Sequence, residues 1–217
     1  MYKAYLFDFD GTLVDSMPAY VSVMLRILDE SGVKYEKDII KTITPLGYLG
    51  TAKYYSEVLG FDKAPEDTLR KMNEYAYFEY AHRIEAKPGV IETLKKLKDL
   101  GADLNILTAS PHTVLDVCLA RLGIRELFTN VWSCDDFETT KSNSEIYRMA
   151  AEKIGLSVGE ILFVDDNLNA DKTAASAGMK VAGVYDKSSE EYMDEIKPAT
   201  DYYINNFCRI IKFFFIK

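Results

Sequence analysis

The sequence is poor in the side chains that most often carry reactive or metal-binding chemistry. Its 217 residues include two histidines, three cysteines and one tryptophan. Cys118, Cys134 and Cys208 are widely spaced and form no Cys-x-x-Cys, so the usual zinc and redox spacings are absent. Such a scattered, odd set suggests reduced thiols in a cytosolic protein. A cysteine nucleophile needs a base, and only His82 and His112 could supply an imidazole. Activated thiols are the minority case, which disfavours that chemistry here.

Excess positive charge is also missing. The net charge is −8, with 26 basic against 34 acidic residues. Such a surface repels phosphate backbones and anionic lipid, which argues against nucleic-acid and membrane partners, although one local basic pocket for a small anion stays open. Long apolar runs are lacking too. Met1-Tyr2-Lys3 leads into a short run broken by Asp8 and Asp10, which does not read as a signal peptide. The run Ile210 to Ile216 contains Lys212 and is far too short to span a bilayer. A soluble, cytoplasmic protein is the expectation. Hydrophobic residues make up 48% of the chain and charged ones 28%, an ordinary globular balance for one large domain or a core with an insert.

Ala4 to Phe9 is an apolar, aromatic run that ends in acids and Gly11, and reads as a buried strand. From Ser16 to about His82 the apolar residues recur at helical spacing, as in Tyr20, Val23, Met24, Ile27 and Leu28. Ser31-Gly32, Pro45, Gly47, Gly50, Gly60 and Pro65 divide this stretch into several helices, with no convincing strand. After Pro88-Gly89 strands and helices alternate. Helices are predicted over Val90–Leu100, Thr113–Leu122 and Ser144–Ile154, and from the residues after Asp166 to Ala177. Strands are predicted over Asp103–Thr108, Val131–Cys134, Ile161–Val164, Lys180–Val184 and Tyr202–Ile204, with a helix behind the last. This pattern predicts an α/β fold, a Rossmann-like parallel sheet wrapped by helices. The expected division is an α/β core of residues 1–15 and 83–217 and an α-helical insertion of residues 16–82 after the first strand.

Three predicted strand ends carry polar residues where ligands gather in such sheets: Asp8, Asp10 and Gly11; Thr108, Ala109 and Ser110; Asp165 and Asp166. A single acid at a strand end is more often a cap than a reagent. Two pairs at two strand ends, in this order, favour a site. Clustered carboxylates repel one another unless something neutralises them, and a hard divalent cation such as Mg²⁺ does so with oxygen ligands. A carboxylate can attack phosphorus to form an acyl-phosphate that water then cleaves, while a second carboxyl serves as acid and base.

With these residues in view, the chain resembles the haloacid dehalogenase superfamily along nearly its full length. DFDGTLVDS at 8–16 looks like the first family motif, and Ile106 to Ser110 is similar to the second. Lys141, in KSNSEIY, stands where the third motif has its lysine, and Ile161 to Asn167 looks like the fourth. The resemblance implies Asp8 as nucleophile and metal ligand, and Asp10 as general acid/base that binds the metal through its backbone carbonyl. It implies that Thr108 and the Ala109 N–H hold the phosphoryl group, that Gly11 lies in the phosphate site, and that Lys141 neutralises charge. Asp166 aligns with the main fourth-motif metal ligand, and Asp165 with a second ligand or orienter. Two departures stand out. Lys141-Ser142-Asn143-Ser144 replaces the frequent Lys-Pro-x-Pro and loses its stiffness, and Ala170 occupies a position often held by Asp or Gly, with Asp171 one further on.

Family members that lack an acid two residues after the nucleophile act on substrates whose leaving groups need no such acid, so Asp10 points to phosphate esters. The insertion resembles the small α-helical cap of phosphoglycolate phosphatase-like and β-phosphoglucomutase-like members. The expectation is a Mg²⁺-dependent phosphatase of a small phosphorylated metabolite. A sugar-phosphate mutase and a catalytically silent binding protein on the same fold are the alternatives. Thr44 to Thr51 is the candidate specificity segment, its glycines serving either ligand approach or as helix stops. Lys41, Tyr48, Lys53 and Arg83 are candidate substrate contacts, each weighed against an ordinary solvated role. Tyr54, Tyr55, Tyr75, Tyr77 and Tyr80 fit a helix-packed core, and His82, His112 and Trp132 fit structural roles. The substrate and oligomeric state stay open, a monomer being allowed.

Overall fold

The computed structural model describes residues 2–36 and 38–215. Met1 and Ile216, which belonged to two runs considered above, lie outside the described residues. The chain opens with β1 (Ala4–Phe7) and then enters four helices: α1 (Met17–Ser31), α2 (Ile39–Ile43), α3 (Gly47–Glu57) and α4 (Pro65–His82). There follow α5 (Val90–Asp99), β2 (Asp103–Thr108), α6 (His112–Leu122), β3 (Asn130–Ser133), α7 (Glu145–Ile154) and β4 (Ile161–Asp165). The chain closes with α8 (Leu168–Ala177), β5 (Lys180–Val184), α9 (Met193–Ala199), β6 (Tyr202–Ile204) and α10 (Ile211–Phe214).

All six strands form one parallel sheet in the order β3-β2-β1-β4-β5-β6. The central strands β1 and β4 are buried at every residue, as expected when helices cover both faces. One core packs Leu6, Leu107, Ile161 and Phe163 against Ile146, Tyr147 and Ala150 of α7 and Ala170 and Ala174 of α8. Elsewhere in the sheet the Phe7 ring stacks on Tyr5 and meets Phe128 edge-on. The helix α9 was not anticipated, because Pro198 lies inside it near its C-terminal end.

The chain divides into two compact units, residues 1–15 with 85–217, and residues 16–84. The second unit is helical, and no strand is found among its described residues. In α1 the buried residues Val23, Met24, Ile27 and Leu28 make one apolar face, and Gly32 ends the helix. In α4, Pro65 sits at the start, where its missing N–H has no cost, with Glu66 and Asp67 in the first turn. Val23, Met24, Ile27, Leu28, Ile43, Tyr55 and Met72 form this unit's own core. Two expectations fail here. Gly47 does end a helical turn, the 3-10 helix Thr44–Leu46, but Gly50 stops no helix and lies inside α3, where an added Cβ would come within 2.9 Å of Leu46 Cβ. Tyr77 is exposed on α4, whereas Tyr55 and Tyr80 are buried.

Candidate active site

The sheet order places β1 between β2 and β4, where successive strands change direction of travel across the sheet. Ligand crevices in α/β sheets form outside the carboxyl ends of strands at such a point. Asp8 follows the last residue of β1, and its N–H donates to Val164 O at 2.9 Å. Asp165 closes β4, Asp166 follows it, and Thr108 closes β2. Residues far apart in sequence are thereby brought to one edge of the sheet.

Asp8, Asp165 and Asp166 are all buried, and each offers a carboxylate oxygen within 4.8 Å of the others. Lys141 Nζ bridges two of them, 2.5 Å from Asp8 Oδ1 and 2.7 Å from Asp165 Oδ2. The second Asp165 oxygen accepts the Asn167 N–H at 2.7 Å, and Thr12 Oγ1 donates to Asp166 Oδ1 at 3.0 Å. Asp8 Oδ2 and Asp166 Oδ2 are outside these bonds.

Three buried acids face one ammonium, and the electrostatics follow from that imbalance. Burial pushes the Asp8 carboxyl up to about 7, with Lys141 opposing and Asp165 and Asp10 adding to the rise. Burial and the neighbouring Asp165 and Asp8 charges raise Asp166 well above the carboxylate range. Burial works against the charge on Lys141, but Asp165 and Asp8 outweigh it and hold the ammonium well above the ordinary lysine range. The cluster thus favours a proton or a cation. Its donors are all hard carboxylate oxygens, which fits a divalent cation with oxygen preference and not a soft metal.

Asp10 is half-buried, and Ser110 Oγ donates to its Oδ2 at 2.6 Å. Thr108 is buried, with its Oγ1 accepting the Ser110 N–H at 3.1 Å, and Ala109 is exposed. Gly11 has φ +80°, and a Cβ built there would meet Asp166 Oδ2 at 2.6 Å, so both the turn and the close approach require glycine. Its N–H donates to Val14 O at 3.0 Å, so that donor is engaged inside the turn.

Thr12 and Tyr147 were missed from the sequence, and Asp171 was noted there only as a departure from the family pattern. Thr12 lies within the first motif, but its bond to Asp166 spans 154 residues. Tyr147 Oη lies 3.0 Å from Lys141 O and 3.1 Å from Ala170 O, tying the lysine turn to α8. Asp171 is fully buried, and neither of its carboxylate oxygens has a hydrogen-bond partner among the described residues. Burial, then Asp165 and Asp166, push it up to about 9. An acid in the first turn of a small-residue helix was the available signal.

The surroundings of the remaining candidates are as follows. His112 Nε2 pairs with Asp136 at 2.8 Å and Nδ1 with Asp116 at 3.1 Å, and these carboxylates raise its pKa. Trp132 meets Phe137 edge-on. His82 is exposed beside the Phe78 ring, so it is no core residue. Arg83 is held by Glu79 at 2.9 Å and lies over Phe78, while Lys41 and Lys53 are exposed. Tyr48 stacks on Tyr20 with ring centroids 4.8 Å apart.

A buried acid cluster with one lysine, at the carboxyl edge of a parallel sheet, lies where ligands bind in proteins of the α/β class. The model of the haloacid dehalogenase-like hydrolases matches residues 2–178, and the chain belongs to that family. A pyrophosphatase PpaX of Bacillus velezensis is 28% identical over 184 residues, covering 83% of this chain and 82% of that protein. A phosphorylated carbohydrates phosphatase of Thermotoga maritima is 24% identical over 178 residues, covering 82% of each. The crystal structure of CbbY from Rhodobacter sphaeroides in complex with phosphate has the same fold, with a TM-score of 0.78 at 20% identity over 97% of this chain and 96% of that one. Among the described residues, no helix is long and apolar enough to cross a membrane.

Proposed function

We propose that the protein is a Mg²⁺-dependent phosphatase that hydrolyses a small phosphorylated metabolite through an aspartyl-phosphate on Asp8. The observation that carries this reading is the convergence of Asp8, Asp165 and Asp166 on one point, with Lys141 bonded to Asp8. The relatives named as a pyrophosphatase and as a phosphorylated carbohydrates phosphatase support phosphoryl transfer and differ in substrate.

In this reading Asp8 and Asp166 hold the ion with the Asp10 carbonyl, and Asp165, with both oxygens engaged, chiefly orients Lys141. A bound Mg²⁺ supplies screening of the negative charge on nucleophile and phosphoryl group. Thr108 Oγ1 and the Ala109 N–H bind phosphoryl oxygens, and Lys141 neutralises the charge that Asp8 and the phosphoryl group share. Gly11 shapes the turn instead of donating, since its N–H is engaged by Val14 O.

An Asp8 oxygen attacks phosphorus as the bond to the leaving oxygen breaks, and Asp10 gives that oxygen its proton. Asp10 then takes a proton from water as the water attacks phosphorus. The bond to Asp8 breaks, inorganic phosphate leaves, and both carboxyls return to their starting states. Ser110 orients Asp10 for both transfers. The helical unit of residues 16–84 serves as the cap that selects the substrate, through the Thr44 to Thr51 segment. A mutase would need cations there for a second phosphate. The insertion offers no obvious cluster of basic residues for it, which favours the phosphatase.

The test is phosphate release from a panel of phosphorylated metabolites, with Mg²⁺ and with chelator, for wild type and Asp8→Asn. Mg²⁺-dependent release that Asp8→Asn abolishes is expected. Folded wild-type protein that releases no phosphate from any compound would overturn the reading, and interconversion of sugar phosphates would replace it with the mutase.

A further inference from the structure

Lys87 lies outside every motif noted in the sequence, two residues past the point where the chain re-enters the α/β unit at Glu85. Its side chain is only 17% exposed. The ammonium donates to Gly11 O at 2.5 Å, to Tyr185 O at 2.8 Å and to Asp186 Oδ2 at 2.9 Å. Those bonds occupy its three N–H groups. Asp186 is itself fixed, its other oxygen accepting from Ser188 N at 2.8 Å and from Ser188 Oγ at 2.5 Å. The grip therefore has a rigid far end at the exit of β5.

The near end is the acid-bearing turn. Gly11 stands between Lys87 on its carbonyl side and the Asp166 carboxylate, which leaves no room for a Cβ. The next residue, Thr12, donates to Asp166 Oδ1. The backbone of Lys87 holds the same turn, its N–H donating to Leu13 O at 2.9 Å, and Ala86 pairs with Val14 in an antiparallel bridge. Main chain and side chain of one residue thus fasten the loop that carries Asp10 and abuts Asp166.

We propose that Lys87 is a positioning residue for the acid cluster. By pinning the Gly11 carbonyl to the Asp186 end of the sheet, it fixes the turn at the distance from Asp166 that a hard divalent cation requires. The proposal rests on the reading of that cluster as the Mg²⁺ site. Two effects of Lys87 oppose each other. Its charge repels an incoming cation, whereas its grip preorganises the ligands. The ion pair with Asp186 already cancels much of the charge, while groups that orient metal ligands commonly contribute roughly 10- to 100-fold in metal affinity or activity. The grip therefore dominates, and removing it weakens cation binding.

The experiment measures Mg²⁺ binding by titration calorimetry and by the Mg²⁺-induced rise in melting temperature, beside kcat and KM for phosphate release. The proteins are wild type, Lys87→Met, Lys87→Arg and Asp186→Asn. Lys87→Met is expected to bind Mg²⁺ about 10-fold more weakly, with kcat falling more than KM changes. Lys87→Arg should recover part of the loss, and Asp186→Asn should lose less than Lys87→Met, because Lys87 keeps Gly11 O and Tyr185 O. Folded Lys87→Met that binds Mg²⁺ as tightly as wild type, or more tightly, overturns the proposal. If Lys87→Met does not fold, unchanged Mg²⁺ affinity in both Lys87→Arg and Asp186→Asn overturns it equally. Wild type that binds no Mg²⁺ overturns the metal reading and this proposal together, which separates the two failures.

Discussion

Lys141 and Asp8, 133 residues apart in sequence, form a part-buried ion pair with Nζ 2.5 Å from Oδ1. The same ammonium reaches Asp165, so one cation offsets two of three clustered acids. Lys141→Met leaves those acids without compensation while sparing the stem volume. Phosphate release should fall by about 100-fold or more, the scale on which a preorganised electrostatic contact acts in phosphoryl or acyl transfer. The melting temperature should fall too, and Mg²⁺ should restore more of it in the variant than it adds to wild type. Steady-state rates and thermal melts with and without Mg²⁺ check this, and an active Lys141→Met would remove the lysine from the mechanism.

The 2.6 Å bond from Ser110 Oγ to Asp10 Oδ2 makes a separate prediction. If Asp10 protonates the leaving oxygen, Asp10→Asn should cost roughly 100- to 10,000-fold on an alkyl phosphate. The first step should suffer less on an aryl phosphate, whose leaving group needs little protonation. A burst of one phenolate equivalent per enzyme, followed by slow turnover, is the expected trace. Ser110→Ala should slow both substrates more mildly, because the acid stays and only its orientation is lost.

Asp171 provides a pH signature in metal-free protein. Its folded value of about 9 lies above its ordinary 3.8, so the folded state binds the proton more tightly than the unfolded chain. The stability this contributes is complete below about 3.8 and is lost progressively as pH rises toward about 9. Asp171→Asn keeps the volume but does not ionise. Its melting temperature should match wild type near the acid end and exceed it increasingly toward alkaline pH. Each kcal/mol is worth about 2–4 °C for a chain of this size. A pH-independent gap between the two proteins would show that Asp171 does not titrate across this window.

Tyr147 predicts how the lysine turn is held without the prolines that often flank it in the family. Its hydroxyl contacts Lys141 O and Ala170 O, and its ring meets Phe163 edge-on at 5.0 Å. Tyr147→Phe keeps the ring and leaves the buried Ala170 carbonyl and the part-buried Lys141 carbonyl without that donor, at a cost of about 1–3 kcal/mol. Stability should drop by that amount in denaturant titration. The rate constant kcat should fall several-fold while KM holds, because Lys141 loses its fixed base. Loss of stability with unchanged kcat would limit Tyr147 to packing.

Much of the fold was legible because its signals are local. The strands Asp103–Thr108 and Lys180–Val184 appear just after the helix stops Gly101 and Gly178, and Tyr202–Ile204 where a last strand was expected. The acids at the ends of β1 and β4 stood out because buried strands otherwise reject charge. The α9 helix was hidden by Pro198, and Gly50 was misread because a glycine inside a helix looks, in sequence, like one that ends it.

The alternation of strands and helices, the helical insertion and the residue types offered at each strand end depend on neighbours along the chain, and are therefore legible there. Which of them meet depends on the folding of distant segments onto one another. Strand order puts β1 between β2 and β4, and only that order brings Asp8 beside Asp165 and Ser110 beside Asp10. Burial then decided the chemistry: enclosed together, Asp8, Asp165 and Asp166 cannot all hold their charge without a counterion, whereas spread along a solvated chain they would ionise independently. No spacing in the sequence records that proximity, or that Lys87 reaches across 76 residues to hold Gly11.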